Sequence, residues 1–271
     1  LMIQKQPGQL NQKLNVKNLA FLSGAGTRTR SCIMLIGSLI HKFDNFMLPQ
    51  PGGCKLGRRT VKPYFYALEK LGVRINTSRE HYHISHNGLK KNRKIIMYEA
   101  GDTVTETVLM AAALIAGKTT IKFASANYQI QDICFYLKLL GVKIEGVGTS
   151  TMIVHGIAGP IKKDVEYFVS EDPIEAMSLI AAAIVTKSSI TIERIAIDFL
   201  ELELLKLEKM GFKYKILKKY KSNNGETNLV DIKTFPSKLY ALEEKIHAQP
   251  YPGINIDNLP FFTIIGAVAH G

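Results

Sequence analysis

Three segments of the chain share one pattern of apolar and polar positions: Leu68-Glu-Lys-Leu-Gly72-Val-Arg-Ile75, Leu137-Lys-Leu-Leu-Gly141-Val-Lys-Ile144 and Leu207-Glu-Lys-Met-Gly211-Phe-Lys-Tyr214. Each predicts the last turns of a helix, a stop at glycine where a left-handed residue carries no Cβ penalty, and then a strand with one buried face. The glycines at 72, 141 and 211 lie 69 and 70 residues apart. Upstream of each runs a small-residue-rich apolar stretch: Ile33–Ile40, Leu109–Ala116 and Leu179–Val185. These predict short helices buried nearly all round, because Ala and Gly let neighbours approach closely. Asp172-Pro173-Ile174-Glu175 marks one helix start with a cap, a first-turn Pro and a capping-box Glu, and Thr103-Val104-Thr105-Glu106 offers a second capping box. The repeating unit is therefore helix, strand, helix, Gly, strand, strand, about seventy residues long and present three times. A fourth helix, Phe261–Ala269, has no strand after it in these 271 residues, and the chain starts as abruptly at Leu1-Met2. The pattern reads as a fragment of a longer protein, because a repeat cut at its first helix cannot close its core.

Composition narrows the class. With 46% hydrophobic and 21% charged residues the chain can bury a core and is not intrinsically disordered. The longest apolar run, Val108 to Gly117, is too short to cross a bilayer, and no secretory leader pattern is present, so the expectation is a cytoplasmic protein with no membrane partner. Cys32, Cys54 and Cys134 are odd in number and lack metal spacing, which predicts neither a disulfide framework nor a zinc site.

Lys and Arg number 35 against 23 Asp and Glu, a formal charge of +12 that suits anionic partners. Lys90–Lys94 and Lys215–Lys219 read as solvated strand edges and turns. Tyr214 and Tyr220 among Lys215, Lys218 and Lys219 resemble a nucleic-acid surface in composition, yet no binding motif accompanies them, and nucleic acid is not expected as a partner. His81 and His83 share one strand face with His86 nearby, a spacing open to metal but more commonly found on exposed strands.

Pro51-Gly52-Gly53-Cys54-Lys55-Leu56-Gly57-Arg58-Arg59 is the strongest local signal for chemistry. Three glycines around one Cys describe a loop whose backbone can approach a ligand, and the adjacent cations favour the thiolate and attract phosphate or carboxylate. Taken alone, the pattern fits a reactive thiol and an incidental Cys in a Gly-rich turn equally well.

The same loop, followed by Thr60-Val61 and Ala67-Leu-Glu-Lys-Leu-Gly72, resembles the catalytic loop of the bacterial UDP-N-acetylglucosamine 1-carboxyvinyltransferases, P-G-G-C-x-I-G-x-R-P-V-D then G-L-E-x-L-G. The resemblance is collinear. Arg30-Ser-Cys-Ile-Met-Leu-Ile-Gly37 resembles R-A-S-I-x-x-L-G, and Thr105-Glu106-Thr107 with its alanines resembles G-A-T-E-N-x-M-M-A-A. The segment from Gly146 to Gly156 resembles G-x-G-T-x-x-I-x-I-x-G, Asp172-Pro-Ile-Glu-Ala176 resembles D-R-I-E-A, and Tyr251-Pro-Gly-Ile-Asn-Ile-Asp257 resembles Y-P-G-F-P-T-D.

That resemblance implies an α/β fold, an inside-out α/β barrel of enolpyruvyl transferase type built from βαβαββ units. It implies residues 1–170 as a catalytic-loop domain, with units around 30–98 and 103–168, and residues 171–271 as a third unit and the start of a fourth in a second domain. The implied reaction transfers enolpyruvate from phosphoenolpyruvate to the 3-hydroxyl of UDP-N-acetylglucosamine with release of phosphate, the first committed step of peptidoglycan synthesis. No metal or organic cofactor is implied. Cys54 corresponds to the Cys that forms an adduct with phosphoenolpyruvate and protonates its methylene carbon, and to the thiol alkylated by fosfomycin. Arg59 corresponds to a phosphate-binding Arg, Arg30 to an Arg lining the cleft, and Thr60, Val61, Lys62 and Pro63 to the segment at the uracil and diphosphate end. Asp257 corresponds to the Asp at the sugar 3-hydroxyl, the candidate general base, although its sequence context alone reads as a helix N-cap. Thr60 and Lys62 stand where the family has Pro and Asp, Thr103 where it has Gly, Pro173 where it has Arg, and Glu99 near a position that often carries Lys.

Overall fold

The computed structural model describes residues 27–50, 52, 60–159, 161 and 163–271. The first unit holds a 3-10 turn (Arg30–Leu35) running into α1 (Ile36–Leu39), then β1 (Asn45–Pro49), α2 (Lys62–Lys70), β2 (Arg74–Thr77) and β3 (His81–Ser85). The second holds β4 (Lys94–Ile96), α3 (Asp102–Ala113), β5 (Gly117–Lys122), α4 (Tyr128–Leu139), β6 (Lys143–Glu145) and β7 (Thr151–Gly156). The third holds α5 (Pro173–Val185), β8 (Thr191–Ala196), α6 (Glu201–Lys209), β9 (Lys213–Lys221) and β10 (Asn228–Phe235); α7 (Leu259–Val268) follows after a 3-10 turn at Ile256–Asn258.

Each unit folds its strands in one order. The sheets run β1-β3-β2, β4-β5-β7-β6 and β8-β10-β9, so the second strand of every hairpin sits between its partner and the strand that came before. Leu48 pairs with Tyr82, Ile121 with Met152 and Ile192 with Ile232, all antiparallel, while β4 adds to the edge of β5 in parallel.

The repeated glycine has one geometric cause. Gly72, Gly141 and Gly211 have φ of 91°, 98° and 103°. In each, the glycine N–H bonds three residues back and the next N–H bonds five residues back: Val73 to the Leu68 carbonyl, Val142 to Leu137, Phe212 to Leu207. This is the Schellman closure, with both residues of each pair buried, and it turns the chain directly into the following strand.

Two apolar clusters result. One gathers side chains from Cys32 to Val154, the other from Ala176 to Ile265. The segment between them is tied down at Asp132 on α4, whose Oδ1 accepts from the Tyr167 hydroxyl at 2.7 Å and from the Ser170 N–H and hydroxyl at 2.8 and 2.6 Å. Asn224, at the β9–β10 turn, donates to Ser170 Oγ at 2.9 Å.

Helix α3 is the axis of the first cluster, and eight of its twelve residues are buried. It packs so closely on its neighbours that a Cβ on Gly37 would overlap the Thr107 carbonyl, and one on Gly156 would overlap the carbonyls of Ala112 and Ile115. Gly156→Ala is therefore expected to destabilise the fold by about 1–3 kcal/mol, because backbone atoms rather than a flexible side chain must move. Urea unfolding of the variant checks this.

Three expectations are corrected. The Ile33–Ile40 stretch is not a regular helix but 3-10 backbone followed by one α turn. Helix α5, expected to be buried nearly all round, is buried on one side only, with Leu179 44% exposed, because its cluster covers one face. The second capping box does not form: α3 begins at Asp102 with Gly101 as N-cap, so Thr103 lies inside the helix. Asp102 then supplies the first-turn negative charge that the helix dipole favours. The cap at Asp172 does form, accepting from the Ile174 N–H at 2.8 Å.

Candidate functional site

Two groups of side chains carry the chemistry visible in the structure, one on the first apolar cluster and one where elements of the two clusters meet. The first gathers where α2 begins. Pro63 is buried in the first helical turn, and the Thr60 hydroxyl accepts from the Lys62 N–H at 3.2 Å, which leaves Thr60 and Lys62 exposed with Val61 half-buried between them. Arg30, thirty residues earlier, donates from Nη2 to the Thr60 carbonyl at 3.0 Å. Arg30 and Thr60–Pro63 are thus one local surface.

Tyr64, one residue further, turns inward and bonds the Thr103 hydroxyl on α3. Burial raises the pKa of its phenol, and the charge of Arg30 partly opposes this. Also on α3, burial followed by the charges of Asp102 and Asp132 pushes the Glu106 carboxyl up to about 7.

The Glu106 shift has a consequence for stability. From the ordinary value of 4.5 up to about 7, the folded chain holds a proton that the unfolded chain has released. Folding is therefore favoured below that window and loses stability as pH rises through it. The loss is about 2 kcal/mol after allowance for partial solvent screening. Thermal unfolding at pH 5 and pH 8 should show it, and Glu106→Gln, which is neutral throughout, should flatten the difference.

The second group surrounds Tyr128 at the start of α4. Asp102 accepts from the Ser125 hydroxyl, and from Asn127 Nδ2 at 3.2 Å. Asn127 in turn caps α4 by accepting from the Tyr128 N–H at 2.9 Å. Burial raises the Tyr128 pKa, aided by Asp172 through charge and hydrogen bonding and by the charges of Asp257 and Asp102. Asp257 is exposed on the 3-10 turn before α7, where Asn255 Oδ1 accepts its N–H at 3.0 Å. Asn255 is thus the cap of this turn and Asp257 is not, and the Asp257 charge acts on Tyr128.

Four residues of this group, Asp102, Ser125, Asn127 and Asn255, line a cavity of about 340 Å³ between the two clusters, which Phe199 and Tyr251 also line. A neighbouring cavity of about 560 Å³ holds Tyr98, Glu99, Phe123 and Tyr251. A larger one, about 670 Å³, lies apart between α6 and β9–β10; it is lined in part by Tyr214, Lys219 and Tyr220 and contains none of the catalytic or substrate-binding residues expected from sequence.

Cys54 and Arg59 lie outside the described residues. Among the described residues no group of three His, Cys, Asp or Glu is arranged to hold a metal ion. His81 is half-buried and His83 exposed on β3, while Tyr82 and Ile84 point into the core. His86 is buried, with Nε2 donating to the Ile40 carbonyl at 2.8 Å. Lys90–Lys94 and Lys215 and Lys218–Lys219 are exposed. No helix among the described residues is long and apolar enough to cross a membrane. Sequence reasoning missed Tyr128, Ser125 and Asn127, whose roles come from contacts across the fold rather than from any local pattern.

Comparison with known proteins bears on the whole chain. UDP-N-acetylglucosamine 1-carboxyvinyltransferase of Campylobacter hominis is 32% identical over 245 residues, covering 90% of this chain and 55% of that protein. The enzyme of the same name from Bradyrhizobium diazoefficiens is 37% identical over 161 residues, 59% of this chain and 36% of that one. The chain spans about half the length of the curated relatives it matches. Among solved structures, the enolpyruvyl transferase NikO from Streptomyces tendae superposes with a TM-score of 0.69 at 20% identity, over 88% of this chain and 54% of that one. An EPSP synthase from Acinetobacter baumannii gives 0.66 at 19% identity, over 89% and 54%. These likenesses establish the fold as the inside-out α/β barrel class of enolpyruvyl transferases, and the repeated sheets described above are its units. The model of the EPSP synthase (3-phosphoshikimate 1-carboxyvinyltransferase) family matches residues 3–271, and with that match added to the fold, the chain belongs to this family.

Proposed function

We propose that the protein transfers enolpyruvate from phosphoenolpyruvate to the 3-hydroxyl of UDP-N-acetylglucosamine, releasing phosphate, as a cytoplasmic enzyme of peptidoglycan synthesis that needs no metal or organic cofactor. The observation that carries this reading is the Cys54 loop in register with five further motifs, in a chain whose curated relatives are named for this reaction. The shikimate-type reaction of the family is disfavoured, because its enzymes lack a comparable Pro-Gly-Gly-Cys loop.

Forming an ether at the enol carbon requires the sugar hydroxyl to lose a proton and the methylene carbon to gain one. Regenerating the double bond then requires that carbon to lose a proton while phosphate departs. We assign Asp257 as the base at the hydroxyl and Cys54 as the acid at the methylene carbon. Arg59 and Arg30 hold anionic groups by charge-assisted hydrogen bonds, each worth roughly 1.5–3 kcal/mol. Thr60, Val61, Lys62 and Pro63 form the nucleotide-facing segment; Arg30 braces it at the Thr60 carbonyl. We take residues 1–170 and 171–271 as parts of two domains, a division supported by the two separate apolar clusters. Closure of such domains excludes water from the reacting groups.

A second reading, a non-catalytic nucleotide-sugar-binding paralogue, is favoured by Thr60, Lys62 and Glu99, which change charge or shape where the family meets its nucleotide. Phosphate release with both substrates, measured on the 271-residue chain and on a form extended at both ends, separates the two. Turnover supports the transferase; binding of the nucleotide sugar without turnover by either form supports the paralogue.

A further inference from the structure

A carboxylate that the proposed reaction does not use is buried beside the turn that carries Asp257. Glu203 on α6 is 2% exposed, whereas the other acids of that helix, Glu201 and Glu208, face solvent. Its Oε1 accepts from Asn258 Nδ2 at 2.9 Å and, at 3.4 Å, from the backbone N–H of Asn255. Asn258 is itself fully buried. Both donors flank Asp257, and Asn255 in turn receives the Asp257 N–H on its side chain. A carboxylate is costly to bury unless its lone pairs are satisfied. Here the satisfaction comes from one short turn, so α6 and the turn are held together by polar bonds in an otherwise apolar cluster made by Leu200, Leu204, Leu207, Ile254 and Phe262.

We propose that Glu203 is a positioning residue, which fixes the Asn255–Asn258 turn and with it the place of Asp257 beside the cavity that Asn255 and Ile256 line. The catalytic consequence rests on the role assigned to Asp257 above; the structural pin does not. Apolar packing alone would leave a three-residue 3-10 turn free to rotate, because such turns are short and weakly bonded. Two hydrogen bonds to one buried oxygen remove that freedom and fix the place of the exposed Asp257.

The test compares Glu203→Leu, which keeps the volume and removes the acceptor, with Glu203→Gln, which keeps an acceptor oxygen. Hydrogen exchange on the 271-residue chain reads the turn directly. Glu203→Leu should speed exchange of the amides at 255–258 tenfold or more, while α6 amides at 204–207 stay protected, and Glu203→Gln should remain within about threefold of the parent. Asn258→Ala, which removes the shorter bond from the other side, should speed the same amides. Unchanged protection at 255–258 in Glu203→Leu and Asn258→Ala would overturn the proposal, as would equal loss at 204–207, which would mean general loosening. In an active form of the protein, Glu203→Leu should lower kcat at least tenfold with KM for both substrates within twofold, and Glu203→Gln should restore most of kcat. Full turnover by Asp257→Asn would instead refute the role of Asp257, and the exchange result would still decide the pin.

Discussion

Treatment of the folded chain with a phosphonate epoxide is expected to alkylate one thiol, Cys54, and to leave Cys32 and Cys134 untouched. The selectivity has a physical basis on both sides. Cys54 stands among Lys55, Arg58 and Arg59, cations that stabilise a thiolate and attract the phosphonate. Cys32 and Cys134 are buried, 4% and 0% exposed. Burial raises the pKa of both thiols, and that of Cys134 reaches about 12. A thiol with a pKa near 12 has roughly three thousand times less thiolate at neutral pH than one near 8.5. Intact-mass measurement should show a single adduct, mapped by peptide digestion to the loop. Cys54→Asp should abolish it, since a carboxylate is a poor partner for the epoxide. Labelling of Cys32 or Cys134 while Cys54 stays free would remove the loop from the active site.

The second large effect is expected at Asp257. If it is the base that takes the 3-hydroxyl proton, Asp257→Asn should lower kcat of the active protein by about 10²–10⁴-fold, the usual contribution of a positioned general base. KM should change little, because the amide still hydrogen-bonds a hydroxyl. The structure indicates that this loss would not come from unfolding. Asp257 is exposed, its N–H is held by Asn255, and the buried bonds of the turn run through Asn258 and Glu203 instead. An unchanged melting temperature together with the fall in kcat would support the assignment. An unchanged kcat would return Asp257 to a local structural role.

Much of the architecture is readable before any coordinates because it is enforced locally. The glycines at 72, 141 and 211 must be left-handed to end their helices, and the alternation after each can only be a strand with one wet face. A threefold recurrence of such forced steps, at nearly constant spacing, implies a repeated unit. The helix that misled was the one where tertiary contact overrides the local pattern. Between Ile33 and Ile40, Gly37 is pressed against the Thr107 carbonyl of α3, and the segment is 3-10 backbone with a single α turn. Thr103 misled for a similar reason: it has the right spacing for a cap, but its hydroxyl is taken by Tyr64 and the helix starts a residue earlier.

For the candidate site, motif order carried Arg30, Arg59, Cys54, Thr60–Pro63 and Asp257, since each belongs to a short contiguous signature. The sequence by itself thus determined the unit, its repetition, the turn chemistry between helix and strand, and the residue types able to do the chemistry. These depend on backbone sterics and on side chains a few positions apart. Only the tertiary structure decided that Arg30 braces the Thr60 carbonyl, that the charges of Asp102, Asp172 and Asp257 act on Tyr128, and that Glu203 underlies the turn bearing Asp257. Those relations join residues from 26 to more than one hundred positions apart. Their energies come from burial and from charges meeting across two separate cores, which local spacing along the chain does not encode.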